Sequence, residues 1–416
     1  MSEVKLMDSN YNCDFKIDSD LVNHIKNLLS EQADPVSNLG TYTTSRMDSD
    51  ISEMFECLLP YNKVNYNEYF KIKEMESFCL SFILDMINAP DKKNSFGIST
   101  NGSSEAILLA CLAWRERSKN KKRKNIIISQ EAHSSWVVAA KILDIDVKEI
   151  SFRLTDLEQN ISMAIDDETI GVGVTLGTTS TGSFEPVEKT NEILNNYNKK
   201  HGRCIPIHVD AASGGFIAPF IDSGFIWDFR LNLVESINIS GHKYGMVYPS
   251  IGWVFWKEKS KLSEGMGMSI EYLKDNFIHI GVNFSAPAAY IVAQYYSLKK
   301  YGNSGYRDKV RELFCIKKRI EHELNKISWF NIISTDTRHR LPVVCWTLSN
   351  NKNYEAVSKM FEKLGWIIPY CKISRGGETN CFRIVVRHNF SKLEVDKLIS
   401  DLSTIQSTYI KEENEQ

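Results

Sequence analysis

A lysine stands just beyond the short apolar stretch Ser236–Ile239, in Ser240-Gly241-His242-Lys243. The end of a buried strand, beside a glycine and an imidazole, suits a Schiff-base lysine, whose amine must be partly desolvated and geometrically fixed. The plainer explanation is a lysine that snorkels out of a loop. One βα unit earlier, His208-Val209-Asp210 is followed only by small residues, Ala211-Ala212-Ser213-Gly214-Gly215. A carboxylate at the carboxyl end of a parallel strand faces the crevice where α/β sheets bind ligands. Small residues after it let a flat ligand lie against the backbone. Capping of the next turn would explain Asp210 alone, but not a lysine of this kind in the following unit. A third segment, Asn101-Gly102-Ser103-Ser104-Glu105-Ala106, opens a helix. Its glycine permits close backbone approach, and Ser103 and Ser104 add hydroxyls to the unpaired N–H groups of a helix start, which makes a phosphate cradle. A simple N-cap uses the same residues. A phosphate cradle, a carboxylate for a ring nitrogen and an amine for an imine are together the parts that hold pyridoxal 5′-phosphate.

These residues need a scaffold, and the hydrophobic pattern supplies one. Between about residues 95 and 260, short apolar runs alternate with helical periods. The spacing predicts strands at Ile126–Ser129, Val147–Ser151, Ile170–Leu176, Pro206–Val209, Ser236–Ile239 and Trp253–Trp256. It predicts helices at Ser104–Lys119, Trp136–Leu143, Leu154–Ile165 and Val187–His201, so βαβ crossovers and a mostly parallel sheet are expected. Helical periods also run through Leu21–Leu29 and Glu68–Ile87, the latter stopping at Asn88-Ala89-Pro90. A long helical region follows Phe284 to about Lys326, interrupted near Gly302–Gly305. Beyond it, strands at Val343–Leu348 and Phe382–Val386 mix with helices at Tyr354–Leu364 and Lys392–Ile405, which reads as a smaller α+β domain. The expected division is an N-terminal segment over 1–70, a large domain over 71–300 and a small one over 301–416.

Composition narrows the class further. The 416 residues are 43% hydrophobic and 25% charged, and carry 50 basic against 52 acidic side chains. That balance gives no global field for gripping nucleic acid. Ten prolines and twenty-two glycines exclude a disordered or collagen-like chain. The nine cysteines are scattered, with no Cys-x-x-Cys pair, so neither a metal site nor a disulfide framework is expected. No apolar stretch approaches the roughly 18 residues that span a bilayer, and the first residues lack a signal-peptide core. A cytoplasmic protein is expected. The single charge run, Lys119-Asn120-Lys121-Lys122-Arg123-Lys124, reads as a solvated loop.

Gly-Ser-Ser-Glu-Ala, Asp-Ala-Ala-Ser-Gly-Gly-Phe and Ser-Gly-His-Lys resemble the group II pyridoxal-phosphate-dependent amino-acid decarboxylases, bacterial glutamate decarboxylases in particular. The similarity continues through Ala218-Pro219-Phe220, Trp227-Asp228-Phe229-Arg230-Leu231, Val282-Asn283-Phe284-Ser285 and Ala293-Gln294-Tyr295-Tyr296. It covers the chain from about Asn38 to about Phe390. The resemblance implies fold type I, the aspartate aminotransferase-like α/β architecture, with a mostly parallel large-domain sheet and a smaller C-terminal domain. It also implies a homodimer that shares its active sites. Lys243 would be the Schiff-base lysine and Asp210 the partner of the pyridine nitrogen, since an adjacent carboxylate favours the charged pyridinium. His133 matches the position that stacks on the cofactor ring. Glutamine is usual there in bacterial glutamate decarboxylases and histidine in many other members, so His133 is a departure. Thr179 matches a neighbour of the cofactor's 3′-oxygen, and Ala212, Ser240 and His242 match further cofactor contacts. Ser285 matches a serine that reaches the phosphate of the partner subunit. Arg383 matches the arginine associated with the substrate α-carboxylate. Tyr272 matches a mobile-loop tyrosine that donates a proton, after a lid-like Gly265-Met266-Gly267-Met268.

The implied reaction is decarboxylation of an L-amino acid, glutamate or a related acidic one. The segment that holds the distal carboxylate in glutamate decarboxylases corresponds to Leu39-Gly40-Thr41-Tyr42, which keeps the threonine and replaces a phenylalanine by Tyr42. An acidic position of the family aligns with Asn65. An amide there can donate to an ionised carboxylate, and equally to an amide or hydroxyl. Decarboxylation of a different amino acid stays open, as do oxidative deamination, transamination and carbon–carbon cleavage, because fold type I hosts all of them. A catalytically silent homologue would not need Lys243, Asp210 and Ser103-Ser104 intact. A nicotinamide site at Gly171-Val172-Gly173-Val174-Thr175-Leu176-Gly177 lacks the G-x-G-x-x-G spacing. Lys411-Glu412-Glu413-Asn414-Glu415-Gln416 lacks the histidine-containing tail of acid-regulated relatives, so acid regulation is not expected.

Overall fold

The structure, a computed structural model, describes residues 18–64, 67–263, 266–270, 277–333, 339–349, 352–374, 378–388 and 390–414. Seven strands form the main sheet: β1 (Phe96–Thr100), β2 (Asn125–Ser129), β3 (Asp146–Ile150), β4 (Thr169–Thr175), β5 (Ile207–Asp210), β6 (Val234–Ser240) and β7 (Gly252–Trp256). Their order is β1-β7-β6-β5-β4-β2-β3. From β3 to β6 all pairs are parallel, whereas β7 runs antiparallel to both β6 and β1. The α/β expectation holds, and each βα unit follows from its sequence. β4 and β6 are buried at every residue, as strands covered by helices on both faces must be. The helix Val187–His201 ends at Gly202 in the left-handed region with φ 62°, a C-terminal stop that needs glycine.

β1 was not legible in advance. Phe96-Gly97-Ile98-Ser99-Thr100 breaks its apolar pattern with glycine and hydroxyls, and only the last two residues are buried. An edge strand can afford that mixture, because one flank has no neighbouring strand. Gly97 is required by its partner, since a Cβ there would stand 2.5 Å from the Phe255 ring. The glycines that hinted at a nucleotide motif have the same explanation. In mid-β4, a Cβ on Gly171 or Gly173 would stand 2.6 Å from the ring of Trp114 or Trp136 respectively. The run Lys119–Lys124 lies between a helix and β2, where Lys119 pairs with Glu116 at 3.0 Å and Lys124 bonds the Lys121 carbonyl at 2.9 Å.

The long helix Ala289–Leu324 kinks at Gly302, the expected interruption, where φ is 52°. It leads into a four-stranded antiparallel sheet of order β10-β11-β13-β12. Its strands are β10 (Phe330–Ile332), β11 (Val343–Leu348), β12 (Tyr370–Ser374) and β13 (Glu378–Val385). A two-stranded ribbon, β8 (Met268–Ile270) and β9 (Phe277–His279), precedes the long helix. Helices Tyr354–Lys363 and Lys392–Asn414 complete the C-terminal part. Residues 36–46 join the two sheets. Leu39 N–H donates to Ile367 O and the Leu39 carbonyl accepts from Val385 N–H, at 2.9 and 2.7 Å. Thr44 N–H then donates to His242 O at 2.8 Å. Buried Arg387 clamps this segment by donating to the carbonyls of Val36, Asn38 and Thr43.

Candidate active site

The carboxyl ends of the parallel strands lie on one edge of the sheet, and the chemistry-bearing residues collect there. Asp210 closes β5 and is 3% exposed. Its Oδ1 accepts from Asn238 Nδ2 at 2.9 Å and from Ala212 N–H at 3.1 Å, while Oδ2 accepts from Trp136 Nε1 at 3.2 Å. Behind Asn238 stands His208, fully buried, with Nε2 2.6 Å from Asn238 Oδ1 and Nδ1 2.7 Å from Ser236 Oγ. Asn238 spends its amide N–H on Asp210, so its oxygen must accept, and the neutral imidazole carries its proton on Nε2. Burial pushes the His208 pKa down to about 4. The result is a chain of donors from Ser236 through His208 and Asn238 that ends on the Asp210 carboxylate. Trp136, Asn238 and His208 were not singled out from the sequence. The available signal was the alternation Ser236-Ile237-Asn238-Ile239, polar side chains on one face of a buried strand.

Beside this network Glu185 is buried, and its Oε2 accepts from Thr175 N–H at 2.6 Å. Burial pushes its pKa up to about 8, and the charges of Glu131 and Asp210 act in the same direction.

Lys243 follows β6 in a loop held on both sides. Thr44 Oγ1 donates to its carbonyl at 2.8 Å, and its Nζ donates to Ser213 Oγ at 3.0 Å. Burial lowers the Lys243 pKa and Arg383 adds to that, while Asp210 opposes. A buried lysine with a depressed pKa is the form in which an amine is a nucleophile. His242 is pushed down to about 4 by burial and by the Lys243 charge. Its Nδ1 has no hydrogen-bond partner among the described residues.

At the other end of the crevice, the helix Ser103–Arg117 starts from Gly102 without a side-chain cap. The Ser103 and Ser240 hydroxyls meet at 2.7 Å in front of it. Bare backbone walls the site, because a Cβ on Gly252 would stand 2.6 Å from Gly102. Uncapped N–H groups, paired hydroxyls, an unpartnered imidazole nitrogen, a fixed carboxylate and a buried amine all border one cavity of about 460 Å³. The residues fit pyridoxal 5′-phosphate: an anion at the helix start, a ring cation at Asp210 and an aldehyde at Lys243.

Of the residues predicted for the site, Ser103, Ser104, His133, Thr179, Asp210, Ala212, Ser240, His242 and Lys243 line this cavity. His133 Nδ1 accepts from Ser135 N–H at 3.2 Å, which leaves Nε2 as the N–H of the neutral ring. Burial and the Lys243 charge lower its pKa, against Asp210. Thr41 bonds Thr43 at 2.8 Å, and it is Thr43 that borders the cavity. Ser285 is exposed and accepts from Asn62 Nδ2 at 3.1 Å, outside the cavity. Asn65 and Tyr272 lie outside the described residues.

Tyr42 and Arg383 form a second group next to the first. The Tyr42 hydroxyl donates to Thr179 O at 3.0 Å, and burial raises its pKa. Lys243 Nζ lies 5.5 Å from the Tyr42 ring centroid, and the Arg383 guanidinium lies 5.3 Å from the same centroid. Arg383 donates to Gly40 O at 2.7 Å and to Thr179 O. Its Nε is buried without a partner among the described residues. A second cavity of about 520 Å³ also reaches Lys243. Its walls include Arg46, Met47, Tyr301 and Lys309 but neither Asp210 nor the Ser103–Ser240 pair.

The fold and site define a pyridoxal-phosphate enzyme of fold type I. The pyridoxal-dependent decarboxylase conserved domain matches residues 3–349. Glutamate decarboxylase 2 of Arabidopsis thaliana is 35% identical over 400 residues, 92% of this chain and 80% of that protein. Glutamate decarboxylase of Aliivibrio fischeri is 35% identical over 380 residues, 88% of this chain and 82% of the relative. Lactobacillus brevis glutamate decarboxylase superposes with a TM-score of 0.88 at 30% identity, covering 94% of this chain and 92% of its own. The chain belongs to the pyridoxal-dependent decarboxylase family.

Proposed function

We propose that this enzyme decarboxylates L-glutamate, releasing CO2 and the corresponding amine. The observation that carries an amino-acid substrate is the placement of Arg383, the arginine matched to the α-carboxylate. It is a guanidinium without an ion-pair partner among the described residues, one aromatic ring away from Lys243. Such a fork suits a carboxylate bidentately. The similarity to glutamate decarboxylases of a plant and a bacterium, over 92% and 88% of this chain, supports an acidic substrate.

When bound, pyridoxal 5′-phosphate supplies the electron sink for the bond that breaks at Cα. Lys243 would supply the amine that holds the cofactor. Asp210, fixed by three donors, keeps a proton on the ring nitrogen. Ser103, Ser104, Ser240 and His242 would hold the phosphate, and Ala212, Thr179 and His133 would contact the rest of the cofactor. Arg383 orients a substrate carboxylate, and the ring of Tyr42 sets the distance between Arg383 and Lys243. Thr41 acts at the substrate end through Thr43, to which it is hydrogen-bonded. Proton return to Cα falls to His133 Nε2–H or to Tyr272.

A homodimer with shared sites belongs to the same reading. Ser285 is exposed and away from its own cavity, as a residue serving a neighbour would be. The helix Ser19–Ser30 buries nothing, although Leu21, Ile25, Leu28 and Leu29 are all exposed on it. An apolar stripe of this kind marks a protein contact. A reducing compartment such as the cytoplasm suits the free thiols of Cys79 and Cys111, buried among apolar side chains. No described helix is long and apolar enough to cross a membrane.

The test is a panel of the twenty amino acids with cysteate and cysteine sulfinate, reading CO2 and identifying amine products by mass. Glutamate alone should give product. Ammonia or a keto acid in place of CO2 would overturn the reaction, and product from a non-acidic amino acid would overturn the substrate. Sedimentation equilibrium reads the dimer, and a monomer at all concentrations would remove the shared site.

A further inference from the structure

The face of the small sheet that meets Tyr42 carries thiols. Cys371 of β12 and Cys381 of β13 are direct cross-strand partners, so their side chains share one face. Their Sγ atoms are 3.7 Å apart. Arg383 lies two residues along β13 from Cys381, and the two-residue period of a strand puts it on that face as well. Cys345 of β11 is the cross-strand partner of Arg383, and its Sγ donates to Ser180 O at 3.1 Å.

Directly opposed residues of an antiparallel pair have Cα atoms about 4.5–5.5 Å apart, inside the roughly 4.4–6.8 Å that a disulfide bridges. Closing the gap from 3.7 Å to a bond of about 2.05 Å is within reach of side-chain rotation. The two sulfurs are also unequal. Cys381 is fully buried, whereas Cys371 is partly exposed. The hydrogen bond from Cys381 holds the Cys371 thiol below its ordinary range, with the Arg383 guanidinium acting the same way and burial opposing. A partly exposed thiol beside a cation is the kind that oxidants reach first.

We propose that Cys371 and Cys381 form a reversible dithiol–disulfide pair, oxidised by a peroxide, whose state changes how Arg383 holds the substrate carboxylate. The second half rests on the reading of Arg383 given above. The Cys371 thiolate attacks one peroxide oxygen: an S–O bond forms, the O–O bond breaks, and the leaving hydroxide takes a proton to become water. The Cys381 sulfur then attacks the sulfenic sulfur of Cys371. An S–S bond forms, the S–O bond breaks, and a second water leaves with the Cys381 proton. The two thiols lose two electrons and the peroxide gains them. A dithiol reductant reverses the reaction by exchange. The bridge ties β12 to β13 one side chain away from Arg383 on the same face, while the guanidinium itself donates to the carbonyls of Gly40 and Thr179 and lies against the Tyr42 ring.

The experiment treats the cofactor-loaded enzyme with an equivalent of hydrogen peroxide, alkylates free thiols, digests, and maps cross-linked peptides by mass. A Cys371–Cys381 cross-link removed by dithiothreitol is expected. Cys371→Ser and Cys381→Ser should each abolish it, and Cys345→Ser should leave it. Both thiols remaining alkylatable, or a cross-link running through Cys345, overturns the pair. In parallel, KM for glutamate should rise about threefold or more on oxidation with kcat within about twofold, reversibly. The Cys381→Ser enzyme should still take one oxygen at Cys371 but form no bridge, and its KM for glutamate should not rise with peroxide. A bridge that forms with KM unchanged overturns the coupling to Arg383. An enzyme that turns over a different amino acid fails the glutamate reading alone, because the mass readout still decides the thiol pair.

Discussion

The two ends of the crevice are built differently. At the cofactor end, Asp210 is held by three donors, from β6, from the loop after β5 itself and from the helix Ser135–Ile142, and the Asn238 and Trp136 side chains are buried. At the substrate end, Arg383 comes from the small sheet, Gly40 and Tyr42 from an N-terminal segment, and Thr179 from the loop after β4. One end is a saturated network drawn from two neighbouring strands and one helix. The other is an assembly of three chain segments around one aromatic ring, with a buried Arg383 Nε left unpaired among the described residues. A saturated, low-dielectric network resists displacement because any lost bond leaves a buried group unpaired. An assembly of segments held by fewer shared bonds can shift when its ligand arrives.

The largest test of this contrast is Lys243→Ala, which should abolish both turnover and the absorbance band of cofactor joined to the lysine. Asp210→Asn probes the saturated end and should lower kcat roughly 10³-fold, in the range of a lost acid–base partner. Arg383→Gln probes the other end. It should raise KM about 30-fold, near 2 kcal/mol, with kcat changed less than about twofold. If Arg383→Gln lowers kcat as much as Asp210→Asn does, the two ends are not separate.

Glu185→Gln sharpens the picture of the saturated end through pH. The folded pKa is pushed up to about 8 from an ordinary 4.5, so the group binds a proton in the folded state that the unfolded chain has released. Stability from this group is complete below pH 4.5 and is lost as pH rises through 8. Glutamine mimics the protonated form and keeps an acceptor for Thr175. Its advantage in thermal unfolding should therefore grow with pH across that window, by roughly 1.4 kcal/mol per pH unit. Equal advantages at pH 5 and pH 8 would falsify the assignment. The smallest effect is expected of Trp136→Phe, which removes one of the three donors to Asp210. At about 1 kcal/mol, kcat should fall around fivefold.

How far the sequence reached follows the same division. Asp210, Lys243 and Ser103 stand at ends of βα units, where residue order along the chain is nearly order in space, so local pattern located them. Trp136 and Asn238 were hidden because a strand asparagine and a helix tryptophan look like core residues until the sheet brings them to Asp210. Gly171 and Gly173 looked like a ligand motif, and only the indoles packed against them explain why a side chain is excluded. Arg387 was missed outright, because its task is to hold carbonyls of Val36, Asn38 and Thr43, which lie far from it along the chain.

The sequence by itself determined the class of chemistry, the cofactor and the parallel α/β core, since these depend on short-range periodicity and on residues at strand ends. Only the tertiary structure decided that β7 runs antiparallel and that Thr43 borders the cavity. It alone put Cys371, Cys381 and Arg383 on one face beside Tyr42. Those relations are set by strand register and by contacts between distant segments, which depend on packing between segments and leave no periodic trace in the chain.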